Sequence, residues 1–120
     1  IRFLPRYNGV GEIVEHFAGA KAFLFPSLEP FGIVPVEALA AGTPVVALRK
    51  GGALDFIKDG RNGVFFDDQT VDSLAEAIRR IDTMSFDASL VSRSAEKFSE
   101  DNFKKQLYDL VQKASNESTR

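Results

Sequence analysis

The segment Glu29-Pro30-Phe31-Gly32-Ile33-Val34-Pro35-Val36-Glu37 decides how this chain is read. It follows the apolar run at residues 22–25, which has the length of a buried strand, and it leads into a short helix placed near Pro35. Proline suits the first helical position, because its missing N–H would be unpaired there and its φ is already helical. The amides around Pro35 then sit at a helix start, where unpaired donors and the dipole favour an anion. Glu37, in the first turn, tilts its Cβ back toward that end. Glu29 lies on the loop at the strand's carboxyl end, so both acids are expected to face one crevice.

A carboxylate only accepts hydrogen bonds, so its natural partners are hydroxyls, and a diol suits its two oxygens. Acids flanking an anion site therefore fit a ligand with phosphate in the middle and hydroxyl-rich sugars on either side. A nucleotide-diphosphate sugar has that form.

The rest of the chain supplies the frame. Short apolar runs at residues 1–4, 22–25, 44–48 and 63–66 alternate with helix-like segments at 12–17, 35–41, 53–58, 70–82, 87–98 and 101–113. That alternation predicts an α/β fold, a Rossmann-like parallel sheet with helices on both faces. Val71, Leu74, Ala75, Ile78 and Ile81 recur at helical spacing and are expected to form one buried stripe. Ligands of such sheets bind beyond the strands' carboxyl ends, where loops 5–11, 26–34 and 49–52 fall. The 120 residues make one domain, with 44% hydrophobic content and eleven Phe to fill a core. A net charge of −2 gives no electrostatic footprint for nucleic acid. With no Cys there is neither disulfide nor thiolate metal site, and no apolar run approaches the roughly 20 residues that span a bilayer.

The run Ser27-Leu28-Glu29-Pro30-Phe31-Gly32-Ile33-Val34-Pro35-Val36-Glu37-Ala38-Leu39-Ala40-Ala41-Gly42-Thr43-Pro44-Val45-Val46-Ala47, followed by Gly51-Gly52 and by Asp59-Gly60-Arg61-Asn62-Gly63-Val64-Phe65-Phe66, resembles the donor-binding half of GT-B retaining glycosyltransferases. Within these it is similar to the group 1 (family 4) branch with its Glu-x7-Glu motif, and most similar to bacterial and archaeal mannosyltransferases of polysaccharide assembly. The resemblance implies GDP-mannose as donor, with UDP- or ADP-glucose as the alternative, a glycan or lipid-linked acceptor, and no metal or other cofactor. It implies a cytoplasmic enzyme, peripheral at the inner membrane face. It also implies that residues 1–120 are part of the carboxyl-terminal donor domain. The acceptor domain, the first strand–helix unit and its Arg and Lys diphosphate clamp would lie elsewhere, leaving this fragment alone inactive.

Residue by residue, the resemblance makes Glu29 the acid facing the transferred sugar and Glu37 the ligand of the ribose diol. The amides of Gly32, Ile33 and Val34 would hold the diphosphate, with Phe31 shaping the loop. Tyr7 would carry backbone base contacts, although Pro5 replaces the usual glycine there. Plainer readings exist beside these. Glu37 can simply stabilise its helix N-terminus, Phe31 can be packing, and Gly51-Gly52 can be a tight strand-to-helix turn. Asp55 and the pair Asp67-Asp68 read as helix caps, and His16 as a surface or core residue. A sugar-nucleotide-binding module without chemistry also remains open.

Overall fold

The computed structural model describes residues 1–4, 6 and 9–118. Tyr7 and Pro5 lie outside them, so the base-contact expectation does too. The elements in order are α1 (Val10–Gly19), β1 (Phe23–Phe25), α2 (Ile33–Ala40), β2 (Val45–Leu48), α3 (Ala53–Phe56), β3 (Gly63–Phe66), α4 (Val71–Asp82), α5 (Ala88–Arg93), a 3-10 turn (Glu96–Phe98) and α6 (Glu100–Ser118). The three strands form one parallel sheet in the order β1-β2-β3, with Phe23 opposite Val45 and Val45 opposite Gly63.

Strands buried on both faces read as continuous apolar runs, and β2 and β3 are buried at every position. Alternate residues serve opposite layers. Phe25, Val45, Ala47 and Phe65 pack with Leu39 of α2, Phe56 of α3 and Val91 of α5. Val46, Leu48, Val64 and Phe66 pack with Ala77 and Ile81 of α4. Helices therefore cover both faces of the sheet. The α4 cover stops short of β1, so Leu24, in register with Val46, is 44% exposed.

Five expectations about the fold are corrected. Residues 1–4 form no strand, and Ile1 and Phe3 are exposed. A short apolar run becomes a strand only when a neighbouring edge takes its N–H and C=O groups, and among the described residues β1 pairs only with β2. The α4 stripe is rotated: Leu74 packs beneath, Ala77 and Ile81 are buried, and Val71 is 84% exposed. The cap of α4 is Thr70, whose hydroxyl accepts the Ser73 N–H at 3.2 Å. Asp67 instead pairs with Arg49, and Asp55 makes no cap.

The helix expected over 87–98 is two pieces. Asp87 caps α5 by accepting from Ser89 and Leu90 N–H. At its end the Ser94 hydroxyl donates back to the Val91 carbonyl at 2.6 Å and accepts from Asn62 Nδ2 at 3.0 Å. Such back-bonding competes with the helical ladder, and the chain re-forms as a tight turn that brings Phe98 against the core.

Asp59 ties the turn before β3 to α4. Its carboxylate accepts from Arg80 at 2.6 Å and from the Phe65 N–H at 3.0 Å. Burial alone would raise its pKa, but the Arg80 and Phe65 hydrogen bonds and the nearby guanidinium charges outweigh that and hold it below the ordinary value of 3.8. A folded-state pKa below the unfolded one gives stability that is present above the unfolded value and lost as pH falls through the folded one. Acid unfolding of wild type should therefore steepen below about pH 4, and Asp59→Asn should remove that portion of the curve. An unchanged acid limb would exclude the pair as a stabiliser. Phe56, 1% exposed beneath α3, sets the other expectation: Phe56→Ala should cost about 3–5 kcal/mol in urea unfolding.

Candidate donor-binding site

The carboxyl ends of β1, β2 and β3 open into the segments at 26–32, 49–52 and 67–70. The first ends on Gly32, whose φ of +94° is reached at low cost only by glycine. A Cβ there would come within 3.1 Å of Pro35 Cγ and 3.3 Å of the Phe25 ring. The need for glycine is thus met inside the chain, by the turn into α2, whatever approaches from outside.

The helix begins at Ile33, so Pro35 is its third residue and not its first. The first-turn amides have no intrahelical acceptor, so a proline here removes no ladder bond. Gly32, Ile33 and Val34 are left with donors at the positive end of α2. Ile33 is 66% and Val34 46% exposed, which leaves this end open to solvent.

The earlier start also moves Glu37. It is the fifth helical residue, and no acid stands in the first turn of α2. Dipole stabilisation fades beyond that turn, so the plainer role for Glu37 loses its main physical support. Its exposed side chain lines a cleft of about 1190 Å³ together with Phe31, Ile33, Val36, Phe98 and Phe103. Glu29 is exposed on the loop and is not part of that lining. The structure thus gathers Glu37, Phe31 and Ile33, and places Glu29 on the segment leading up to them. Glu29's carbonyl faces inward and accepts the Gly52 N–H at 2.9 Å.

The sequence reading gave Phe31 as packing and Gly51-Gly52 as a turn, but not the partners of these residues or of Arg49. Arg49, at the end of β2, pairs with Asp67 at 2.9 Å and stacks 4.7 Å from the Phe65 ring centre. Gly51 and Gly52 form the surface on which the 29–31 backbone rests. Phe31 packs against Phe98 at 5.6 Å and Phe56 at 6.4 Å. A cation directly after an apolar strand was legible at Arg49; nothing local marks Phe98. His16 stands exposed on α1. Among the described residues no three His, Cys, Asp or Glu side chains gather as a metal-ligating group, and no helix is long and apolar enough to cross a membrane.

The sequence model of the glycosyl transferases group 1 family matches residues 1–105. The chain belongs to that family. It is 36% identical over 114 residues to an uncharacterised glycosyltransferase of Methanocaldococcus jannaschii, covering 90% of this chain and 29% of that protein. It is 40% identical over 82 residues to the glycogen synthase of Thermus thermophilus and to a D-inositol 3-phosphate glycosyltransferase of Geodermatophilus obscurus, covering 68% of this chain and 18% of each. Among solved structures it superposes on sucrose-phosphate synthase from Thermosynechococcus elongatus with a TM-score of 0.68 and 27% identity, over 84% of this chain and 27% of that one. The chain thus spans less than a third of the length of each of these relatives.

For this group 1 glycosyl transferase chain, Gly32→Ala should lower stability by at least about 1–2 kcal/mol, the cost of forcing an L-residue into left-handed backbone. Urea unfolding reads it directly. A variant as stable as wild type would show that the turn into α2 does not require that conformation.

Proposed function

We propose that this chain supplies the donor-binding part of a retaining glycosyltransferase. The enzyme would move a mannosyl group from GDP-mannose to a glycan or lipid-linked acceptor in polysaccharide biosynthesis. The observation that carries the reading is the start of α2, where the amides of Gly32, Ile33 and Val34 lack an intrahelical acceptor and Ile33 and Glu37 line one cleft. Donors fixed at a helix end stabilise charge that develops on a departing diphosphate without reorganising during the reaction. Glu37 accepts hydrogen bonds from the ribose diol, and Glu29, on the loop, orients the hydroxyls of the transferred sugar. The C–O bond to the diphosphate breaks and the acceptor oxygen bonds the anomeric carbon on the same face, its proton passing to the departing diphosphate, so neither acid has to act as nucleophile or base. No metal has a part in this scheme. The acceptor, and the Arg and Lys that clamp the diphosphate, are assigned to parts of the intact protein outside residues 1–120. The same reading puts the enzyme in the cytoplasm, at the inner membrane face when its acceptor is lipid-linked.

A second reading, hexosyl transfer from UDP- or ADP-glucose, stands beside it, since similar proteins are named for glycogen, inositol 3-phosphate and sucrose phosphate and none of the three for mannose. Turnover of the intact protein with GDP-mannose, UDP-glucose and ADP-glucose separates the two. The first reading expects mannose transfer alone. Tight donor binding without transfer would make the protein an inert sugar-nucleotide module. Glu37→Gln should weaken donor affinity on the order of 10–100-fold, since a hydrogen bond to a charged group contributes roughly 1.5–3 kcal/mol. Equal affinity in calorimetry would remove Glu37 from the site.

A further inference from the structure

The loop at 26–32 is exposed along most of its length, with Leu28 59% open to solvent, yet three distant segments hold it. The Pro26 carbonyl accepts from Gln69 Nε2 at 3.0 Å. The Glu29 carbonyl accepts the Gly52 N–H at 2.9 Å. The Phe31 ring meets Phe98 edge-on at 5.6 Å and lies 6.4 Å from Phe56.

The contact at Gly52 is backbone against backbone. Its φ of −61° and ψ of −26° are ordinary helical values that any residue adopts. Space is what demands glycine here: a Cβ would stand 2.1 Å from the Phe31 carbonyl oxygen and 2.5 Å from Phe31 Cα. A Cβ on Gly51 would stand 2.5 Å from the Glu29 carbonyl oxygen. Gly52 runs straight into α3, which carries Phe56. The Lys97 ammonium donates to the Asp55 carbonyl at 2.9 Å and so ties the turn bearing Phe98 to the same helix. Gly52, Phe56 and Phe98 therefore belong to one braced unit, and the loop sits on it.

We propose that Gly52 and Phe98 are positioning residues of the donor site, setting where the Gly32–Val34 amides and Glu29 stand relative to the bound diphosphate. This inference rests on the donor-binding reading above. Gly52 acts through the backbone of Phe31, and Phe98, which also lines the cleft beside Glu37, acts through the Phe31 ring. Reacting groups have to be held within about 0.5 Å, and an exposed loop pinned only at its ends does not meet that tolerance.

The test uses the intact protein, calorimetric binding of GDP, UDP and ADP, donor turnover and thermal unfolding. Gly52→Ala leaves the local backbone preference satisfied and displaces the loop, so nucleotide affinity should fall and donor turnover should drop on the order of 100-fold, the loss expected for a misplacement near 1 Å. Phe98→Leu should raise donor KM and lower kcat together, and Phe98→Tyr, which keeps the ring, should restore both. Ile81→Val, on the far face of the sheet under α4, is the control: it should lower the unfolding temperature and leave affinity and kcat alone. The inference is overturned if Gly52→Ala and Phe98→Leu bind and turn over like wild type. It is also overturned if Ile81→Val loses affinity in the same proportion to its stability loss. Should wild type bind none of the three nucleotides, the donor-site reading itself falls, and this inference with it. If Gly52→Ala does not fold, the Phe98 pair of variants decides.

Discussion

The close passage of one backbone over another, residues 29–31 across Gly51 and Gly52, is the constraint on which the arrangement at the strand ends depends. A side chain on either glycine would overlap main-chain atoms that have no rotamer to move into. The hydrogen bond from Gly52 to Glu29 then fixes the height of the loop, and Phe31 is carried into contact with Phe56 and Phe98. Apart from Tyr7, which lies outside the described residues, everything assigned to the donor lies on or just after this crossing, at Glu29, at the Gly32 turn and along the first two turns of α2.

The two layers beneath make that crossing possible. The sheet is parallel, so the β1 and β2 exits lie at the same end, and their loops meet there. On one side α2, α3 and α5 share a core with Phe25, Val45, Ala47 and Phe65. That core fixes the start of α2 relative to the glycine turn. On the other side α4 covers β2 and β3. The Asp59–Arg80 pair and the Asp59 hydrogen bond to the Phe65 amide add a polar tie between this helix and the strand. Both faces thus contribute stability while only one sets the site geometry, so a substitution under α4 can alter the first without the second.

Several parts of this arrangement were readable from local sequence, for reasons that differ by residue. The runs at 44–48 and 63–66 became β2 and β3 because a strand buried on both faces needs no partner pattern beyond continuous apolarity. Thr70 was placed at the start of α4, although the cap itself was credited to Asp67 and Asp68. Residues 1–4 looked equally apolar, yet no edge receives them. The single helix read over 87–98 broke because Ser94 found a helical carbonyl and Asn62 at once, a contact between residues far apart in sequence. Glu37 was assigned to a first turn by assuming proline at the first helical position; the positive φ of Gly32 let the helix begin two residues earlier.

The sequence by itself determined the fold class, the family, and the chemistry present between Glu29 and Glu37, because these depend on residue type and short spacings that survive any packing. Only the tertiary structure decided which of those residues share a cleft. It set Glu37 beside Phe31 and Ile33 with Glu29 outside that lining, and it brought Phe98 and Gly52 to the loop. The physical reason is that a loop has no period of its own. Its course is fixed by the surfaces it rests on, and those are assembled from segments that meet only once the sheet has formed.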